Sequence, residues 1–271
     1  MDGGRTAGRG WGGGPVIRLR GLTKRFGNKE AVRGLDLDIP TGQLVGLLGP
    51  NGAGKSTTLK MLTGMLLPSA GTAEVFGLDV VRDPVAVKRI VGYAPETGAV
   101  FESLTGWEYL ELVGALHRRP DAETADRILR FAEFFDLPER TLRGDQLAAY
   151  SKGMRQKVVI TAALLHNPKA LFFDEPLNGL DANAALSFKS LVTSLAREGK
   201  TIVYSSHLLD VVERVCERIV ILHDGRVVAD GSLADLQERT GERSLERIFN
   251  GLTAGDDLHA RAEEFARVLA R

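Results

Sequence analysis

The sequence is poor in several features that place proteins outside the cell or inside a membrane. It has one cysteine, Cys216, in 271 residues. That excludes an internal disulfide framework and fits a reducing compartment. Cys216 sits in the apolar pattern LLDVVERVCERIVIL, where it is expected to be a small buried apolar residue. Net charge is also missing, with 35 Lys and Arg against 35 Asp and Glu, so electrostatics give no case for nucleic acid as the main partner. No window holds the roughly 18 apolar residues of a membrane span. The opening stretch, MDGGRTAGRGWGGGP, has no apolar segment of the kind a signal peptide needs. Its glycine content predicts a disordered tail over residues 1–15. No internal repeat is visible. If the protein works at a membrane, something else must hold it there.

Strand patterns alternate with helical ones. VIRLR, from residue 16, alternates as a strand, and KRFGNKEAVRGLDLDI reads as strand, turn and strand, with Asn28 in the turn. QLVGLLG is an almost unbroken apolar run, as expected of a parallel strand buried on both faces. KSTTLKMLTGM follows with helical spacing, placing Leu59, Leu62 and Met65 or Leu66 on one face. Between about 101 and 148, LTGWEYLELVGALHRR and ETADRILRFAEFFDL are two amphipathic helix patterns separated by PDA, with no strand evident. Strand signals return in ALFFDE, KTIVYSS and RIVILHDGRVVADG, and NAALSFKSLVTSLAREG is the clearest helix between them. The expected fold is α/β, around a mainly parallel sheet. Residues 236–271 read as a charged helical tail ending in LHARAEEFARVLAR.

GPNGAGKST, residues 49–57, matches G-x-x-x-x-G-K-[ST] between a buried strand and a helix. Gly49, Gly52 and Gly54 let the backbone turn so that successive N–H groups face one anion, with Pro50, Asn51 and Ala53 completing the loop. Lys55 can reach the β- and γ-phosphates, Ser56 offers a hydroxyl to Mg²⁺, and Thr57 stands in the first helical turn, whose dipole also favours an anion. ALFFDEP, residues 170–176, ends a strand on two carboxylates. Asp174 is the candidate for holding Mg²⁺ and Glu175 for polarising an attacking water. A second helix start, YSKGMRQK at 150–157, has the same look of an anion site, and one chain has no obvious use for two.

With these motifs in this order, the chain resembles the ATP-binding subunits of ABC transporters over roughly residues 16–235. The resemblance implies a P-loop NTPase core, an antiparallel β subdomain and a helical insert at about 97–157. It also accounts for the second anion site. In the family two cassettes dimerise head to tail, and YSKGM, residues 150–154, stands where the signature LSGGQ is usual. Ser151 and Gly153 would then bind the γ-phosphate of the partner's ATP. Lys152 and Met154 depart from the family pattern. The resemblance further implies that Phe26 stacks on adenine, that Glu96 in VGYAPE takes the place of a glutamine near Mg²⁺, that Asp181 in NGLD crosses the dimer interface, and that His207 in SSH contacts the γ-phosphate.

ATP and Mg²⁺ are thus the expected cofactors. The implied partners are a separately encoded integral membrane permease and a second copy of the chain or a paralogous ATPase subunit. The implied location is the cytoplasmic face of the membrane. Phe101, Trp107 and Tyr109 are candidate exposed aromatics for docking the permease. SLERIFNGLT, residues 244–253, resembles the short tail of export-type members. A soluble non-transport member of the family, or a regulatory ATPase, is the alternative.

Overall fold

A computed structural model describes residues 14–97 and 100–253. The expected disordered tail, up to residue 13, and the LHARAEEFARVLAR pattern lie outside the described residues. Strand β1 (Pro15–Phe26) starts one residue earlier than expected and runs into β2 (Lys29–Pro40) through a tight turn, pairing antiparallel from Phe26 opposite Lys29 to Pro15 opposite Pro40. Along β2, Leu35, Leu37 and Ile39 are buried while Asp36 and Asp38 are exposed, the period of two that a half-buried strand requires.

Strand β3 (Leu44–Leu48), buried along its whole length, leads to helix α1 (Lys55–Leu62). The helix stops a turn before the periodicity suggests. Gly64 adopts φ 64°, and the amides of Met65 and Leu66 both return to the Lys60 carbonyl, which closes the helix end. Leu59 and Leu62 are buried as expected, Leu66 packs partly against the same core, and Met65 is exposed. Strands β4 (Ala70–Val75) and β5 (Leu78–Asp79) complete a four-stranded antiparallel sheet of order β2-β1-β4-β5.

Helix α2 (Pro84–Ile90) leads to β6 (Val91–Ala94). A helical region follows: α3 (Gly106–Leu116), α4 (Asp121–Phe134), the short α5 (Glu139–Gly144) and α6 (Lys152–Leu165). A capping box between Thr105 and Glu108 fixes the start of α3. The chain continues through β7 (Ala170–Asp174), α7 (Ala182–Arg197), β8 (Thr201–Ser206), α8 (Leu209–Val215), β9 (Arg218–His223), β10 (Arg226–Gly231), α9 (Leu233–Thr240) and α10 (Leu245–Thr253).

The larger sheet has the order β10-β9-β3-β8-β7-β6. Its pairings are parallel except β9 with β10. The three central strands, β3, β8 and β7, are buried throughout, as parallel strands covered on both faces must be. Successive side chains feed two cores. Phe172 joins Leu47 and Val203 against the antiparallel sheet, while Phe173 joins Leu48, Ile202 and Tyr204 on the opposite face. Cys216 is half-buried against that second core, and burial pushes its thiol pKa up. A third cluster, including Leu110, Ile128 and Val158, lies among α3, α4 and α6.

Candidate functional site

The carboxyl ends of β3, β7 and β8 open on a cleft of about 730 Å³. The whole loop Gly49–Thr57 lines it. Gly54 caps α1 with φ 102° and offers no side-chain acceptor. A Cβ at this position would lie 2.5 Å from the Ala31 carbonyl oxygen, so the loop passes where only glycine fits. The first amides of α1 therefore have no side-chain cap, which leaves them for a ligand in the cleft.

Lys55 folds back over the loop. Its Nζ donates to the Gly49 carbonyl at 2.5 Å and to that of Pro50 at 3.3 Å. The ammonium lies 4.0 Å from Glu175 Oε1. Burial pushes the Lys55 pKa down, and the charges of Glu175, Asp174 and Glu96 oppose that shift.

The two carboxylates after ALFF are held differently. Asp174 ends β7 almost fully buried and accepts from the Ser205 hydroxyl at 2.6 Å, with the Tyr93 hydroxyl at 3.5 Å. Burial, reinforced by the Asp174 charge, pushes the Tyr93 phenol well above its ordinary pKa. Glu175 adopts φ 48°, a left-handed conformation that costs a non-glycine residue about 1 kcal/mol or more. Its amide donates to the Ser205 carbonyl and hydroxyl, both at 3.2 Å. Its carboxylate accepts from His207, through Nδ1 at 2.8 Å and the backbone amide at 3.3 Å. Glu175 thus lies between Lys55 and His207 on the cleft wall.

Phe26, 51% exposed at the end of β1, lines the cleft, and Lys24 Nζ lies over its ring, 5.2 Å from the centroid. Glu96 lines the cleft and accepts from Asn178 Nδ2 at 3.4 Å. The structure therefore brings Phe26, the loop 49–57, Glu96, Glu175 and His207 to the cleft wall, while Asp174, next in the chain to Glu175, is buried and does not line it. It does not bring Ser151, Gly153 or Asp181 to that cleft. Ser151 caps α6, its hydroxyl accepting from the Met154 amide at 3.2 Å. A Cβ on Gly153 would meet the Gly179 carbonyl oxygen, so the signature segment packs directly on NGLD. Asp181 caps α7 through the Ala184 amide at 2.8 Å and pairs with Lys157 at 3.2 Å.

Five contributors to the site were not anticipated. Lys29 and Ala31, on β2, line the cleft. Tyr93 and Ser205 do not line it but bond to Asp174 and Glu175; they sit inside strands, where these partners are visible only once β6, β7 and β8 are adjacent. Phe249, on α10, lines the same cleft from the far end of the chain.

The ABC transporter family model matches residues 32–178. The daunorubicin/doxorubicin resistance ATP-binding protein DrrA of Streptomyces peucetius is 38% identical over 230 residues, covering 85% of this chain and 69% of that protein. This chain belongs to the ABC transporter ATP-binding family. A solved ATP binding subunit of an ABC transporter superposes with a TM-score of 0.82 at 33% identity, covering 88% of this chain and 99% of that one. The ATP-binding cassette MJ0796, solved as a dimer in a post-hydrolysis state bound to ADP and Pi, gives 0.74 at 27% identity, covering 80% and 98%. The chain is accordingly an ATPase subunit of this transporter family with the mixed α/β cassette fold. Among the described residues no helix is long and apolar enough to cross a membrane.

The aromatic candidates for docking part company. Phe101 is 62% exposed and packs tilted on Tyr109, which is half-buried. Trp107 corrects the expectation of an exposed ring. It is 6% exposed, inside the helical cluster, with the Arg143 guanidinium over its face at 3.3 Å from the centroid. The first turn of α3 faces α5, a helix absent from the sequence reading, and α5 covers the indole. Tyr109 instead lines a second cavity of about 340 Å³ with Tyr93, Val113, His117 and His166.

Proposed function

We infer that this chain is the ATP-hydrolysing subunit of an exporter, acting as a head-to-tail dimer on the cytoplasmic face of a membrane through a separate integral membrane subunit. The observation that carries the dimer is the separation of the two anion-facing helix starts. The α1 start lies in the cleft. Ser151 and Gly153 open α6 elsewhere on the surface, so they reach a phosphate only if it is bound to another chain. The dimeric relative supports this arrangement, and the resistance protein DrrA supports export.

Within each composite site the loop 49–57 holds the phosphates and Phe26 stacks on adenine. Glu175 orients and deprotonates the attacking water, and Lys55 and His207 stabilise charge on the γ-phosphate. Ser56, Asp174 and Glu96 would hold Mg²⁺, and their oxygen donors suit it. Among the described residues no three His, Cys, Asp or Glu side chains form a cage, so the ion would need further ligands from water and phosphate. That ion supplies neutralisation of phosphate charge. Hydrolysis removes the γ-phosphate that joins the two chains, and the dimer opens. The half-exposed Phe101–Tyr109 pair and the second cavity are the surface offered to the membrane subunit.

The test is Glu175→Gln. Hydrolysis should fall at least about 100-fold, while ATP converts the protein to a stable dimer in analytical ultracentrifugation. Hydrolysis at the parent rate would remove Glu175 from its role. Tight ATP binding with a persistent monomer would remove the sandwich. Co-purification in gentle detergent should recover a multispan membrane protein in stoichiometric amount. Ribosomes or DNA in its place would sink the transport reading and leave the ATPase.

A further inference from the structure

Phe249 lies in the tail motif SLERIFNGLT, which was given no part in the nucleotide site, yet it lines the cleft together with Gly49–Thr57, Glu175 and His207. Its helix explains how it gets there. In α10, Leu245 and Ile248 are fully buried in the second core, and Phe249 and Leu252 pack partly against it. The helix lies against α8, β9 and α9. Helix α8 begins at Leu209, two residues after His207. The segment between is held lightly: the Leu208 amide bonds to Ser206 Oγ at 3.0 Å, and the His207 side chain is 53% exposed with Glu175 as its partner. An imidazole at the end of a strand, with half its surface free, needs its neighbours to fix where it points. Glu175 fixes one ring nitrogen, and α10 supports the helix that follows.

We propose that Phe249 is a positioning residue of the hydrolysis site, walling the cleft from α10 and bracing the start of α8 so that His207 stays on Glu175. The proposal rests on Glu175 and His207 being the hydrolytic pair. Helix α10 is then part of the catalytic apparatus rather than a peripheral tail. A flat aromatic ring suits the position, because it excludes water from that end of the cleft without adding a polar group that competes for the imidazole.

The experiment compares Phe249→Ala, Phe249→Leu and Leu252→Ala in the full chain, measuring kcat, KM, ATP affinity and Tm. Phe249→Ala should lower kcat on the order of 10-fold, with ATP Kd and KM within about twofold, because positioning acts on the transition state and not on ground-state binding. Phe249→Leu should show an intermediate loss, and this variant decides the matter if the alanine variant does not fold. Leu252→Ala, on the same helix but off the cleft, should lower Tm and leave kcat within about twofold. In a His207→Ala background, Phe249→Ala should add little further loss, since both changes act through one group.

Parental kcat in folded Phe249→Ala or Phe249→Leu would overturn the proposal. So would a raised KM with kcat intact, which would make Phe249 a nucleotide-stacking ring. An equal kcat loss in Leu252→Ala would reduce the effect to packing of α10, and full additivity with His207→Ala would place Phe249 outside the histidine's action. Failure of the hydrolytic pair itself shows separately, as Glu175→Gln hydrolysing at the parent rate.

Discussion

Helices α1 and α6 both begin with a short glycine-containing segment that looks ready for an anion, and their starts are built in opposite ways. The α1 start has glycine as its N-cap, no side-chain acceptor and a lysine that is 7% exposed. The α6 start has Ser151 as its N-cap, its hydroxyl already accepting an amide, and an exposed Lys152 whose stem lies near Gly179. A helix start with unsatisfied amides in a cleft is made for a ligand the chain itself encloses. A start that satisfies one of its own amides and stands on the surface is stable without a ligand. The difference teaches that similar local sequence can encode a pocket in one place and a self-capped surface helix start in another, the second being half of an interface on the function proposed above.

The largest effect that could break this comparison is at the first start. Lys55→Ala removes the ammonium that sits on the phosphate loop 4.0 Å from Glu175. Affinity for ATP should fall on the order of 100-fold, about 3 kcal/mol, as read by titration of a fluorescent ATP analogue, while Ser151 substitutions leave that affinity unchanged. Equal losses from the two starts would mean that both serve one nucleotide in one chain.

The next effect concerns the far end of α6, which anchors the helix to the core. His166 is its C-cap residue, and its Nε2 bonds to the Val91 carbonyl at 2.9 Å while its ring stacks on His117 at 3.6 Å between centroids. Burial, and then the neighbouring His117, lower the His166 pKa from 6.5 to about 4. The unfolded chain therefore takes up a proton that the folded chain refuses. The stability from the neutral ring is complete above about pH 6.5 and is lost as pH falls towards 4, on the order of 2–3 kcal/mol. Urea unfolding at pH 7.5 and 5 should show the parent losing more than His166→Phe. Identical pH slopes in the two proteins would mean that the ring does not carry the linkage.

The sequence makes the first start legible and the second only half so, for a physical reason. Everything the P-loop needs is contiguous: β3 is an unbroken apolar run because it is buried on both faces, and the glycines and Lys55 follow at once. ALFF in β7 is readable on the same ground, and so are the two long helices of 101–148 by their spacing. Features that depend on distant chain are hidden. AGTAEV in β4 exposes its first three residues and has little apolar alternation, so its pairing with β1 leaves a weak trace. Helix α2 buries only Val87. Trp107 reads as a docking ring until α5 covers it. Tyr93 and Ser205 reach Asp174, and Phe249 reaches the cleft, only through strand order and helix packing, which periodicity does not encode.

The smallest effect separates a cap from a ligand contact. Ser151→Ala removes the hydroxyl that accepts the Met154 amide, which should cost about 1 kcal/mol of stability and lower Tm by a few degrees. If that were all Ser151 did, ATP-dependent dimerisation of the Glu175→Gln protein would be unaffected at temperatures well below Tm. On the interface reading, dimerisation weakens about tenfold while the affinity of the single chain for ATP stays constant. Ser151→Asp sharpens the distinction. Aspartate caps a helix as well as serine does, so Tm recovers; on the interface reading its negative charge would face the partner's γ-phosphate, and dimerisation should fall further than with alanine. Recovery of both properties by aspartate would leave Ser151 a cap and nothing more, and the second helix start would then need another explanation.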